Sequence, residues 1–195
     1  MRLNKYIAHC GVCSRRKAGD LVKAGKVYVN DAVEKNPSYM VQEEDSVKYD
    51  GKVLKLEENK VYILMNKPKN TVTTLSDENG RRTVRDIIGD KVKERIYPVG
   101  RLDRMTTGLL LLTNDGELAT KLAHPSGEVK KFYRAVLDKV MVEEDLEKVR
   151  NGVTLKDGFI KVDGADFVRD GGGKEVGLEL HSGRNRIIRR IFEHL

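Results

Sequence analysis

The 195-residue sequence predicts an α+β fold, a small helix-helix-sheet module followed by a larger domain built on a mixed, mainly antiparallel sheet. Three observations predict it. The first thirty residues pass from helical to alternating periodicity at Gly25. A polar run without an apolar residue, Glu57-Glu58-Asn59-Lys60, interrupts the chain. Beyond it, short apolar runs alternate with turns and helical stretches are few.

Each element follows from local pattern. Leu3, Tyr6 and Ile7 recur at helical spacing, and Ser14 is placed to cap a second helix that carries Ala18, Leu21 and Val22 and stops at Gly25. Val27 and Val29 then alternate with polar residues, Asn30-Asp31 forms a turn, and Val33 begins a return strand. Residues 47–49 and 53–56 are strands joined at Asp50-Gly51. The polar run sets the module at residues 1–58 and the second domain at 61–195, which reads as a single unit opening on a strand over 61–65. Helices are expected over 83–88, 117–122, 143–150 and from Asn185 onward. Residues 109–112, four leucines, read as a strand covered on both faces, and Asn114 with Glu117 three residues later resembles a capping box. Residues 130–136 read as a strand with Tyr133 and Ala135 on one face, Gly171-Gly172-Gly173 as a turn, and 178–180 as a strand entering a helix at Ser182-Gly183.

Charge narrows the partners. Lys and Arg number 37 against 30 Asp and Glu, for a net charge of +7 and a pI near 9.3, which favours polyanions. Seven cations stand in residues 1–30 against Asp20 alone. Ser14-Arg15-Arg16-Lys17 falls at a helix N-terminus, where backbone amides add to the attraction for phosphate. Arg2, Lys5, Ser14, Arg15, Arg16, Lys17 and Lys26 are therefore expected to contact RNA. No apolar stretch suits a membrane span or a signal core, so a cytoplasmic protein without membrane contact is expected. Cys10 and Cys13 are too few for a disulfide framework. With only His9 beside them no metal site is expected, and Cys13 suits a small apolar position. Neither GxxxxGK[ST] nor GxGxxG occurs, so no nucleotide cofactor is expected.

Chemistry is concentrated in three stretches. Gly100-Arg101-Leu102-Asp103-Arg104 enters the leucine run as a loop braced by core. An aspartate between two arginines is commonly a surface ion pair, so pattern alone does not single out Asp103, while Asp115 suits a turn ahead of a helix. Lys131-Phe132-Tyr133 places a tyrosine on a strand, ordinarily a packing residue. Arg184, Arg186, Arg189 and Arg190 crowd seven residues of a basic amphipathic helix whose apolar face is Ile187, Ile191 and Leu195.

Two resemblances give these stretches meaning. Leu3-Asn4-Lys5-Tyr6-Ile7-Ala8, Gly11-Val12-Cys13-Ser14-Arg15-Arg16 and Gly25-Lys26-Val27-Tyr28-Val29-Asn30 resemble the RNA-binding module named after the fourth small-subunit ribosomal protein. Gly100-Arg101-Leu102-Asp103, with residues 107–119 behind it, is similar at nearly every position to the signature of the ribosomal RNA pseudouridine synthases of the RsuA and RluB type. That resemblance extends through Met65-Asn66-Lys67-Pro68 and residues 76–83. It implies a catalytic domain that isomerises a uridine in ribosomal RNA or a ribosome-assembly intermediate, as a monomer and without a cofactor.

By the same resemblance Asp103 is the catalytic carboxylate, acting by attack on the sugar or by removing a sugar proton. Tyr133 of the Lys-x-Tyr element lies against the target base. Arg184, first arginine of Gly183-Arg184-Asn185-Arg186, approaches the aspartate, while Arg101, Arg186, Arg189 and Arg190 face RNA. Asp77-Glu78-Asn79-Gly80-Arg81-Arg82-Thr83-Val84 resembles the large-subunit type more than the small-subunit one. A non-catalytic ribosome-assembly protein is the alternative of another class. Family members continue past Phe192-Glu193-His194-Leu195 into further strands, so the last sheet edge is expected to be incomplete.

Overall fold

The computed structural model describes residues 1–123 and 129–195, which form two compact units, Met1–Ala119 and Thr120–Leu195. The polar run 57–60 lies within the first unit because hydrogen bonds tie it down. The Glu57 amide donates to the His9 carbonyl at 3.1 Å. Asn114 accepts from the Val61 amide at 2.9 Å and donates to the Asn59 carbonyl at 2.7 Å.

The first unit opens with α1 (Leu3–His9) and α2 (Arg15–Lys23). As expected, Ser14 caps α2, its hydroxyl accepting from the Lys17 amide at 3.2 Å. A four-stranded antiparallel sheet follows, with β1 (Val27–Val29), β2 (Ala32–Val33), β3 (Val47–Tyr49) and β4 (Lys52–Val53) in the order β2-β1-β3-β4. Both hairpins turn through two consecutive left-handed residues, Asn30-Asp31 and Asp50-Gly51, the geometry that matches strand twist. Strand β4 is shorter than the expected 53–56. Leu54 adds one bond to the Val47 carbonyl, and β3 offers no residue beyond it. Leu3, Ile7, Ala18, Val22, Val27 and Val47 close the core, each larger side chain contributing about 1.5–3 kcal/mol by burial.

A second sheet in the same unit orders β5 (Tyr62–Lys67), β7 (Gly108–Thr113) and β6 (Tyr97–Pro98) as β5-β7-β6, all antiparallel. Its inner face, Met65, Leu110 and Leu112, packs with Val84 and Ile88 of α3 (Val84–Ile88). Thr83 is the cap of α3, not its first residue, in a reciprocal capping box with Asp86. The leucine run is not covered on both faces. Leu110 and Leu112 are buried but Leu109 is 70% exposed, because α3 and its neighbours pack one face of the sheet alone. Capping of α4 (Gly116–Ala123) also falls elsewhere than expected. Asp115 accepts from the Glu117 and Leu118 amides, both at 3.1 Å, since Asn114 is committed to residues 59 and 61.

The second unit is a three-stranded antiparallel sheet in the order β11-β12-β8, made of β8 (Lys131–Val136), β11 (Gly164–Phe167) and β12 (Glu175–Leu180). Helix α5 (Glu143–Asn151), the hairpin β9 (Val153–Leu155) with β10 (Gly158–Ile160), and α6 (Ile187–His194) complete it around Leu146, Val149, Val176, Leu178, Leu180 and Ile191. The last helix begins at Ile187, not at residues 182–185. The Ser182 hydroxyl accepts the Arg184 amide at 3.2 Å, a local turn that competes with helix, and Arg186 is left-handed at φ 49°. Among the described residues no helix is long and apolar enough to cross a membrane.

Candidate active site

Asp103 stands on the loop between β6 and β7, and that loop is fixed through its backbone on both sides of the carboxylate. One hydroxyl, that of Thr73, donates to the Leu102 carbonyl at 2.7 Å and accepts from the Leu102 amide at 3.2 Å. Beyond Asp103, the Arg104 carbonyl accepts the Thr71 amide at 3.2 Å and the Lys67 ammonium at 3.3 Å. The Asp103 carbonyl accepts the Thr106 amide at 3.0 Å, and Leu102 packs against the buried core beneath. Gly100, left-handed at φ 74°, provides the turn into the loop.

Asp103 is exposed, and among the described residues its carboxylate makes no hydrogen bond or ion pair. The flanking arginines do not take it up: Arg104 donates to the Asn70 side chain at 2.7 Å and Arg101 is exposed. The loop therefore presents an unspent carboxylate on a rigid mount, an arrangement suited to a reacting group.

Lys67 is the residue the pattern reading did not assign. It is fully buried, and its ammonium donates to the carbonyls of Pro68 at 3.1 Å, Thr71 at 2.9 Å and Arg104 at 3.3 Å. Burial pushes it below the ordinary lysine range, and the negative charge of nearby Asp103 acts the other way. The signal was available. Ile63, Met65 and Lys67 alternate onto the inner face of β5, so strand period alone places a lysine in the core. The loop over residues 76–83 is ordered by Asp77, which accepts from the Arg81 guanidinium and from the Asn79 and Arg81 amides. The Arg81 pairing holds the Asp77 carboxyl down to about 2.

On the module, Arg2, Ser14, Arg15, Arg16, Lys17 and Lys26 are exposed and Lys5 is half-buried. None of these cations forms an ion pair among the described residues. Cys13 is buried with Leu3 and Ile7, as its apolar reading expects. Burial pushes the Cys10 thiol up to about 12, which keeps it protonated and a poor metal ligand.

The other predicted residues lie in the second unit. Tyr133 on β8 faces Leu178 of β12, shares the core side of the sheet, and is 36% exposed. Burial raises its hydroxyl above the ordinary tyrosine value. Arg184 is exposed in the loop after β12 and donates to the Gly158 carbonyl at 3.4 Å. The arginine cluster divides. Arg190 is held by Asp157, Arg186 lies 3.8 Å from Glu193, and Arg189 is exposed without an ion-pair partner among the described residues.

Comparison with known proteins places both parts of the chain in known families. A family model described as S4 domain matches residues 1–47, and one described as RNA pseudouridylate synthase matches residues 61–194. The ribosomal large subunit pseudouridine synthase B of Bacillus subtilis is 43% identical over 98% of this chain and 79% of its own length. The protein of the same name from Pseudomonas aeruginosa is 37% identical over 98% of this chain and 51% of its own length. A crystal structure of a pseudouridylate synthase superposes with a TM-score of 0.63 at 25% identity, covering 100% of this chain and 83% of the other.

Proposed function

The chain belongs to the RNA pseudouridylate synthase family, and from that premise we propose that it isomerises a uridine of large-subunit ribosomal RNA to pseudouridine with Asp103 as the catalytic carboxylate. The observation that carries the assignment to Asp103 is its unspent carboxylate on a loop pinned at Leu102 and Arg104. The reaction breaks the bond from ribose to a uracil nitrogen, turns the base, and joins the sugar to a ring carbon. The carbon's proton leaves and the nitrogen regains one, so nothing is oxidised or reduced. A positioned carboxylate suits both candidate first steps, attack at the sugar and removal of a sugar proton.

In this reading residues 1–58 hold the RNA and residues 61–195 carry the chemistry. Tyr133 stacks on the displaced base, replacing part of its lost stacking, and Arg184 contributes its positive charge to the reaction. Arg101 and Arg189 meet phosphates with the module's cations. The enzyme acts as a monomer in the cytoplasm, where ribosomal RNA and its assembly intermediates are met. The large-subunit substrate is favoured over the small-subunit one by the names of the relatives, and a non-catalytic role leaves the free carboxylate without a purpose.

The test is Asp103→Asn, which keeps shape and removes charge. Single-turnover pseudouridine formation on large-subunit RNA should be abolished while RNA affinity stays within a few fold. Turnover near wild type would sink the assignment.

A further inference from the structure

A cavity of about 320 Å³ opens in the first unit between the turn that precedes α2 and the segment entering β6, with His9, Ser14, Arg15, Glu57, Arg95 and Tyr97 in its wall. Arg95 is only half-exposed, yet among the described residues neither its guanidinium nor that of Arg15 makes a hydrogen bond or ion pair. The His9 ring is likewise without a hydrogen-bond partner among the described residues. Burial, with Lys5, Lys60 and Arg15 nearby, lowers it below the ordinary histidine value against the opposing charge of Glu117, which leaves a neutral donor. Among the described residues Glu57 is the one acid in the wall, and its carboxylate already accepts the Asn59 amide at 3.1 Å. Tyr97 is anchored by its hydroxyl to the Asn114 carbonyl at 3.3 Å, which fixes its ring.

Two unpaired guanidiniums and a neutral imidazole in a partly desolvated recess favour a bound anion, and planar forks suit phosphate oxygens. The volume is at the lower end of the roughly 300–1,000 Å³ typical of small-ligand sites and exceeds what an ion alone requires. The exposed cations Arg16 and Lys17 continue from the rim along α2. Resting on the reading of the chain as an RNA-modifying enzyme, we propose that this cavity is a nucleotide subsite for the RNA substrate, in which Arg15 and Arg95 hold one backbone phosphate and Tyr97 offers its ring to the attached nucleotide. It fixes the distance along the RNA between the module and the catalytic loop.

The test uses the full chain, a large-subunit RNA fragment, and the variants Arg95→Gln, Arg15→Gln and, as a control, Lys52→Gln on β4. Arg95 has no interior partner, so its variant should melt like wild type. Each cavity variant should lose roughly tenfold in affinity at low salt, and its slope of log affinity against log salt should shrink by roughly 0.7–0.9, the signature of one lost phosphate contact. The control should change neither. Ethylation of one phosphate should weaken wild-type binding by a similar factor of roughly tenfold and make little further difference to Arg95→Gln.

Unchanged affinity and slope in both cavity variants, with wild type still forming pseudouridine, overturns the cavity assignment and leaves the proposed function intact. An Arg95-dependent slope with no pseudouridine formed by wild type overturns the function and sustains the cavity. Submillimolar binding of free uridine monophosphate, lost in Arg95→Gln while RNA binding is kept, overturns the RNA subsite in favour of a free-nucleotide site.

Discussion

Lys67→Met tests whether the Asp103 loop is held from beneath. Methionine keeps the length and much of the volume of the stem and removes the donor from three carbonyls, those of Pro68, Thr71 and Arg104. The Arg104 carbonyl keeps the Thr71 amide, so the carbonyls of Pro68 and Thr71 are the two left without a donor, at roughly 1–3 kcal/mol each or about 2 kcal/mol together at the low end. Removing a buried ammonium returns part of this, because its desolvation is offset only in part by its bonds and by Asp103. The net is a loss of about 1 kcal/mol, or about 3–5 °C in melting temperature for a unit of this size.

Chemistry should suffer more than stability. Without Lys67 the Arg104 carbonyl keeps one of its two donors, the Thr71 amide, so the segment beside Asp103 is held less firmly, and a shift of about 1 Å costs on the order of 100-fold in rate. Single-turnover pseudouridine formation at saturating enzyme should fall by roughly that factor, with RNA affinity within about threefold. Stability should also separate with pH. The folded value for Lys67 lies below the ordinary 10.5, so between the two the unfolded chain holds more protons and wild-type stability rises with pH. The gap to Lys67→Met therefore widens as pH passes the folded value and climbs toward 10.5. Wild-type rate and melting in Lys67→Met would refute the anchoring role.

Two further expectations concern the same unit. A methyl group at Gly116 would lie 2.9 Å from the Tyr97 hydroxyl and 3.1 Å from His9 Nε2, so Gly116→Ala should destabilise by about 1 kcal/mol in chemical denaturation, and adding Tyr97→Phe should restore most of the loss. Equal stability of Gly116→Ala and wild type would show that the wall yields freely. The Asp77 carboxyl, depressed from 3.8 to about 2, contributes stability that is full above 3.8 and lost as pH falls through about 2. Its carbon resonance should titrate near 2 in wild type and shift upward in Arg81→Gln, and a midpoint near 3.8 in wild type would refute the pairing.

Much of the fold was legible because its signals are local. Ser14 caps α2, and the left-handed pairs Asn30-Asp31 and Asp50-Gly51 turn the hairpins, each within four residues of what it controls. The misplaced elements failed where distant partners intervened. Asn114 would have made a reasonable cap, but residues 59 and 61 claim its side chain. The leucine run looked doubly buried, yet whether a second layer covers Leu109 depends on packing that no short window contains.

Local pattern was enough for the two hairpin turns of the four-stranded sheet, the cationic module, and the loop motif around Asp103. Composition, periodicity and motif spacing are properties of neighbouring residues. Long-range packing is what leaves the Asp103 carboxylate unspent among the described residues, brings Lys67 to a carbonyl 37 residues away to hold its loop, and sets Arg15 and Arg95 in the wall of one cavity. Those facts depend on which donors meet which acceptors once the strands have paired. Burial then sets their strength, since an ammonium or guanidinium withdrawn from water must find its partner in the fold or in a ligand.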